Sequence, residues 1–427
     1  MIVEKINRSI LILIMIVLSG MNCERCNQIK YRDLSSERTI ASNRQDFLTK
    51  LRQNTIYNSI GTKAVVENEK DWISAFWAME LIQEKTAETY EAIEIGYKHF
   101  DSCTKQFQRA LLEATYCLYP QSFRTEMNEV AKSTDSPKLF AMAINYLMIS
   151  DEMDKGNQYM DLMRARFPNW KENPLLKMLA QSIERVTHKY MVPSIKELIS
   201  CDFFRGKSVV FCFQRENRDY SGVTIIKQKD GQFYRTKREH IFSISHLARS
   251  VSNMPGYLTN GNSPQGIYSI QGIDVSDNVF IGPSPTLQLV LPYEVSPQDF
   301  FHSVDTDSTW RREIYEAVLP ESWKDYLPIW EVYFAGKAGR SEIIAHGTTI
   351  NPDYYRGFPF YPNTPSLGCI TATELWSPKD GGCIYSDQVK FINAIRKVKA
   401  ENGYFVLINI DNVQNSLHIQ ELLPLLY

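Results

Sequence analysis

The sequence contains no phosphate-binding glycine loop, no HExxH pair and no Asp/Glu cluster at metal-ligand spacing, so no nucleotide, metal or other cofactor is expected. Positive charge is not in excess. Lys and Arg number 47 against 49 Asp and Glu, a net charge of -2. That balance argues against nucleic acid as a partner, because binding to phosphate backbones is carried by clustered cations. The N-terminal apolar run, residues 10–18, falls short of the roughly 20 residues that a membrane-spanning helix needs. With Lys5 and Arg8 before it and Ser19 and Gly20 after it, the run has the layout of an export signal, expected over residues 1–22; a buried N-terminal helix is the plainer alternative. Export to the periplasm or cell envelope follows from that expectation, with the membrane touched only through this segment. Cys23 invites a lipid anchor, although Asn22 occupies a position where such processing sites usually have a small residue.

Eight cysteines in an exported chain could pair in an oxidising compartment, and the sequence does not fix which do. Cys23 and Cys26 have a CxxC spacing, but no second Cys or His pair follows nearby, which makes zinc a weak reading. Cys103, Cys117 and Cys212 lie in helix-like or strand-like sequence and read as packing residues.

What is present is the composition of a globular protein, 44% hydrophobic and 22% charged, in a chain of 427 residues that exceeds one ordinary core. Apolar residues recur at three and four positions through 46–184, as in Trp72, Phe76 and Met79, or Phe107, Leu111 and Leu118. Breaks at Pro120, 133–137, Gly156 and Pro168 predict short antiparallel helices, a bundle or an irregular repeat array filling a helical domain over 41–190. Such arrays commonly carry a docking surface, so a protein or glycan partner is an open expectation. Near Pro193 the pattern changes to short branched and aromatic runs at 209–213, 223–226, 232–235, 266–270, 286–291, 331–334, 342–345 and 404–410, which predict strands. Helices are expected at 310–319 and 387–400, the second capped by Ser386 and stopped by Gly403. The fold class is therefore multidomain: an all-α N-terminal part and a mainly β sandwich or barrel over 205–411. Each part is large enough for a core of its own.

The candidate chemistry lies in the second part. His346 ends an apolar strand in Ile343-Ile344-Ala345-His346-Gly347-Thr348, and Cys369 follows in the turn-rich segment Ser366-Leu367-Gly368-Cys369-Ile370. A thiol is only partly ionised at neutral pH. A histidine in reach can take its proton, make the attacking thiolate, and later protonate a leaving amine. Gly368 before the nucleophile permits a sharp turn, so that the N–H groups of Gly368 and Cys369 could face an oxyanion. A lone strand histidine is more often a satisfied core residue, and a Gly-Cys pair is common.

His346-Gly347-Thr348 followed by Ser366-x-Gly368-Cys369-Ile370 resembles the signature of the L,D-transpeptidases, enzymes that cross-link bacterial cell-wall peptides. Upstream, Asn262-Ser263-Pro264-Gln265-Gly266-Ile267-Tyr268 is similar to that family's TPxGxF segment. The likeness is densest over 255–410 and extends back to the strands starting at Val209, which together make about half of the chain. The resemblance implies Cys369 as the acylated nucleophile, His346 as base, Gly368, Ser366 and Gly347 as oxyanion or support residues, and peptidoglycan stem peptides as substrate. Leu367 stands where the family usually has a second histidine, and Thr371 where Arg or Asn is frequent. Arg340, Lys337, Arg356 and Tyr355 are candidates for the substrate groove, within or beside an aromatic loop over 351–365. Two other readings stay open. One is a wall-binding scaffold that lost activity with that histidine. The other is a papain-like amidase, which ordinarily places Cys before His in the chain.

Overall fold

The computed structural model describes residues 28–150, 155–187, 191–304 and 308–426. The expected export signal, Cys23 and Cys26 lie outside the described residues. The N-terminal part is helical: α1 (Ala41–Lys50), α2 (Asn58–Gly61), α3 (Glu69–Ile82), α4 (Ala87–Lys98), α5 (Lys105–Leu118), α6 (Arg124–Ser133), α7 (Pro137–Ser150), α8 (Gly156–Arg166), α9 (Pro174–Thr187) and α10 (Ile195–Ser200). Local chemistry sets the boundaries. Thr86 and Thr89 form a reciprocal capping box that starts α4, and the Thr104 hydroxyl caps α5. α3 stops at Gln83, which adopts a left-handed conformation and donates its side-chain amide to Glu80 O at 2.7 Å.

The C-terminal part is a closed, mixed barrel of eight strands: β1 (Val209–Arg215), β2 (Gly222–Lys227), β3 (Ser243–Leu247), β4 (Gly266–Asp274), β5 (Thr286–Val290), β6 (Ile344–His346), β7 (Ile370–Ala372) and β10 (Tyr404–Asp411). Around the barrel their order is β1-β10-β4-β5-β6-β7-β3-β2, and a separate hairpin joins β8 (Glu374–Trp376) to β9 (Cys383–Ser386). β1 is buried at every residue and runs parallel to β10, which accounts for the apolar run Val209–Phe213 that precedes its buried Gln214 and Arg215. Helices α11 (Pro297–Phe301), α12 (Arg312–Glu316), α13 (Glu321–Lys324), α14 (Glu331–Lys337), α15 (Asp387–Val398) and α16 (Ile419–Leu426) complete this part.

Several sequence expectations need correction. Residues 331–334 form the start of α14, not a strand: Val332, Tyr333 and Phe334 are buried in succession and the helix packs against β4 and α9, and a short run of consecutive buried residues has no period that separates helix from strand. Residues 232–235 make only isolated bridges, Lys227 to Phe233 and Arg235 to Ile241. The helix expected over 310–319 is the shorter α12. Ser386 does cap α15, its hydroxyl accepting from Val389 N, but the stop is Lys399 in the left-handed region. Gly403 serves β10 instead, since a Cβ there would lie 2.4 Å from Ser208 O.

The change of pattern near Pro193 divides types of secondary structure, not cores. One buried apolar cluster runs from Leu51 in the helices through Val209, Tyr257 and Phe405 in the barrel. Polar contacts tie the two parts as well. Asn145 of α7 donates to Tyr257 OH at 2.6 Å, and Tyr355 OH donates to Leu81 O of α3 at 2.9 Å. Before α1, residues 28–41 run along the far end of the chain: Asn393 of α15 exchanges two hydrogen bonds with the Ile29 backbone, and Ala41 N donates to Pro378 O.

A shared core makes truncation costly. A protein starting at Ser194 should expose Tyr257, Tyr355 and their neighbours and aggregate in size-exclusion chromatography; a soluble monodisperse product with a cooperative melt would show that the barrel folds alone.

Candidate active site

β6 and β7 lie side by side in parallel, with Ala345 opposite Ile370 and His346 opposite Thr371. Cys369 therefore immediately precedes β7, next to the strand whose last residue is His346. Both side chains line one cavity of about 320 Å³. Its walls are mostly apolar, with Val251, Phe280, Ile281 and Ile350 from the barrel and its loops, and Trp77 and Leu81 from α3. The helical part thus contributes a wall to the cavity that holds the Cys/His pair.

The turn that carries Cys369, the candidate nucleophile, is held by a dense set of bonds. Gly368 has φ of +119°, and a Cβ on it would stand 2.2 Å from Arg340 Nη2 and 2.6 Å from Gly261 O, so only glycine fits. Its N–H donates to Ser366 Oγ at 3.0 Å, and the Ser366 hydroxyl donates to Cys369 O at 2.8 Å. Ser366 therefore supports the turn, and the Gly368 N–H expected at an oxyanion is already engaged. Ser263, in the segment likened to TPxGxF, donates to Gly368 O at 2.9 Å from the other side.

The four residues expected in the substrate groove are elsewhere. Arg340 is buried, and its guanidinium donates to the carbonyls of Gly256, Leu258, Gly261, Asn262 and Gly368, binding the nucleophile turn to the loop before β4. Tyr355 is buried against Leu247 and Phe360 and anchors its loop to α3. Arg356 lies on the surface, paired with Asp353 at 2.6 Å and exposed. Lys337 stands over the Tyr293 ring at 5.7 Å, outside the cavity lining. The aromatic loop itself packs mainly inward, while Ile350, Pro365, Ser366 and Leu367 at its two ends line the cavity.

The resting electrostatics differ from the simplest expectation of a partly ionised thiol. Cys369 Sγ donates to Glu342 O at 3.5 Å, and Glu342 holds a left-handed φ of 60° with its N–H fixed by Glu294 Oε1 at 2.8 Å. Burial pushes the Cys369 thiol up; the Ile344 backbone and the Arg340 charge act against that and do not overcome it. Burial likewise pushes His346 down to about 4, opposed by its bond to Gly347 O. At neutral pH the pair is a thiol and a neutral imidazole. Because a carbonyl only accepts, the short contact of His346 Nδ1 with Gly347 O requires the proton on Nδ1 and leaves the lone pair on Nε2. That is the tautomer a general base needs.

Two acidic residues at the site carried no sequence signal. Glu374 of β8 accepts from Thr348 N at 2.9 Å and from Ser386 Oγ at 2.6 Å, and it packs so closely on Gly347 that a Cβ there would lie 2.1 Å from Oε2. Burial raises it to about 7 despite the hydrogen bonds of Ser386, Ser284 and Thr348. Glu80 of α3 lines the cavity, pushed well above the carboxylate range by burial and then by the charge of Glu113. Only the tertiary fold brings either one to the His-Gly-Thr turn or the cavity. His246, in β3, is buried and bonded through Nδ1 to Thr224 Oγ1 at 2.8 Å; with burial holding it at about 3, it is a neutral packing residue.

Among the described residues no group of three or more potential metal ligands is clustered, and no helix is long and apolar enough to cross a membrane. No family model matches the chain, and neither a curated protein nor a solved structure matches it.

Two outcomes follow from these protonation states. Iodoacetamide should modify Cys369 slowly at pH 7 and faster only as the pH passes the ordinary thiol range, measured by intact mass; rapid labelling at pH 7 that His346→Ala abolishes would instead reveal a resting thiolate. For Glu374, a carboxyl raised from 4.5 to about 7 in the fold supplies stability below pH 4.5 that is lost as the pH climbs through 7, on the order of 3 kcal/mol. The melting temperature of the wild type relative to Glu374→Gln should therefore fall across that window, and a constant difference would place the carboxyl at its ordinary value.

Proposed function

We propose that this protein is a cysteine acyltransferase of the L,D-transpeptidase kind, acting on peptidoglycan stem peptides in the cell envelope. The observation that carries the reading is the placement of His346 at the end of β6 and of Cys369 just before the neighbouring parallel strand β7, both lining one cavity, with the imidazole lone pair on Nε2.

The chemistry proceeds from the neutral pair. As Cys369 Sγ turns from Glu342 O and attacks the carbonyl of the L-centred residue, His346 Nε2 takes the thiol proton. A carbon–sulfur bond forms and the carbonyl oxygen becomes an oxyanion, to which the Cys369 N–H is the donor left at the turn. Collapse breaks the amide bond, and the imidazolium returns its proton to the departing amine of the terminal D-amino acid. The thioester then passes its acyl group to an acceptor amine, forming a cross-link, or to water, shortening the stem. Burial that disfavours the ion pair at rest confines proton transfer to the moment of attack. The apolar walls supplied by α3, Phe280 and Ile281 exclude water around the thioester and so favour an amine acceptor.

A scaffold reading draws support from one feature. Leu367, half exposed at 51%, lines the cavity where the related enzymes carry a histidine, and the Gly368 N–H is engaged, so fewer donors face the oxyanion. Purified sacculi incubated with the protein separate the readings by muropeptide mass spectrometry. New dimers or shortened stems are expected with the wild type and none with Cys369→Ala, and His346→Ala should lower the yield by about 100-fold or more. Unchanged muropeptides with every variant would support the scaffold.

A further inference from the structure

A second cavity, of about 400 Å³, lies between the helical part and the barrel, and its lining is polar where that of the first is apolar. Asn145 and Ser182 line it from the helices, and Arg218, Glu331 and Asn409 line it from the barrel part. Arg218 is the feature that needs explaining. It is buried, 5% exposed, and its Nη1 has no hydrogen-bond partner. The other three buried arginines among the described residues show what this fold provides when an arginine is structural: Arg215 pairs with Asp411 and Glu421, Arg249 pairs with Asp219, and Arg340 holds five carbonyls. A guanidinium taken out of water without such partners is unfavourable, and an anion held beside it would supply them.

The remaining lining narrows the anion. Glu216 and Glu331 are the acidic residues of the lining and Arg218 its one cation, so the empty cavity carries a net charge of -1 (one positive, two negative). A dianion such as phosphate would meet net repulsion. Asn409 Oδ1 is buried without a partner, and Glu331 uses one oxygen, Oε2, on Gln265 N at 2.9 Å. These are acceptors, suited to a cation. A carboxylate and an ammonium on one small molecule satisfy both halves. We propose that this cavity binds a free α-amino acid as its zwitterion, carboxylate to Arg218 and ammonium to Glu331 and Asn409.

The site also has a path to the Cys369 turn. Its wall includes Gly256, Asn262 and Ser263; Arg340 ties the carbonyls of the first two to Gly368, and Ser263 bonds Gly368 O directly. Ligand binding would stiffen that segment. The binding itself does not depend on the activity proposed above.

Titration calorimetry and thermal unfolding of the full chain test the proposal with glycine, L-alanine and D-alanine, against acetate, ethylamine and inorganic phosphate. One amino-acid molecule should bind per chain and raise the melting temperature with concentration, while acetate and ethylamine, each half of the zwitterion, should bind at least tenfold more weakly. Arg218→Met should lose the response. Binding that survives Arg218→Met unchanged, no binding of any amino acid to the wild type, or phosphate binding more tightly than the amino acids would each overturn it. If Arg218→Met does not fold, the wild-type ligand series decides alone.

Discussion

The guanidinium of Arg340 is the constraint on which the site's geometry depends. It is enclosed between the loop before β4 and the turn before β7, and it donates to carbonyls of both. The bonds to Gly256, Leu258, Gly261 and Gly368 are buried, and the one to Asn262 is partly so. Each one left without a donor would cost roughly 1–3 kcal/mol, so the loop and the turn are fixed relative to each other. Gly368 has no side chain because the guanidinium occupies that space, and Cys369 is presented at the cavity because Gly368 is so held. An arginine expected to meet substrate at the surface is a buried clamp that positions Cys369.

Around that clamp, burial is the dominant electrostatic influence. It pushes the thiol up, the imidazole down and the two cavity-side carboxyls up, so the site rests with Cys369 and His346 neutral. His346 is nevertheless prepared by its backbone bond to Gly347 O. The rigid turn behind it is held by Glu374, which fastens Thr348 and leaves no room for a side chain at Gly347. The helices add the last wall, since without Trp77 and Leu81 of α3 the thiol would face open solvent.

Much of this was readable from sequence where the pattern was local. The apolar runs of β1, β2, β4 and β10, the Ser386 cap and the His346 and Cys369 segments carry their signals within a few residues. β3 and β7 were missed because β3 is polar at three of its five residues, Ser243, Ser245 and His246, and β7 has only three residues, too few to show a period. α14 was taken for a strand because Val332, Tyr333 and Phe334 are buried in succession. The misplaced groove residues share one cause: charge and aromaticity in a loop suggest exposure, whereas Arg340 and Tyr355 are satisfied in the interior by partners more than 25 residues distant in the chain. Glu80 and Glu374 offered no local cue, and neither did the shared core that joins the two parts.

The proposed activity requires that Cys369, activated by His346, form an acyl-enzyme. Intact-mass spectrometry after incubation with a carbapenem, whose strained acyl bond suits a thiol nucleophile, measures this directly. One covalent adduct mapped to Cys369 is expected, absent in Cys369→Ala, slowed in His346→Ala and accelerated in Leu367→His through an added oxyanion donor, by a factor of about 100 to 1000 if a full donor is gained. A free Cys369 thiol that remains unmodified in both the wild type and Leu367→His would contradict it.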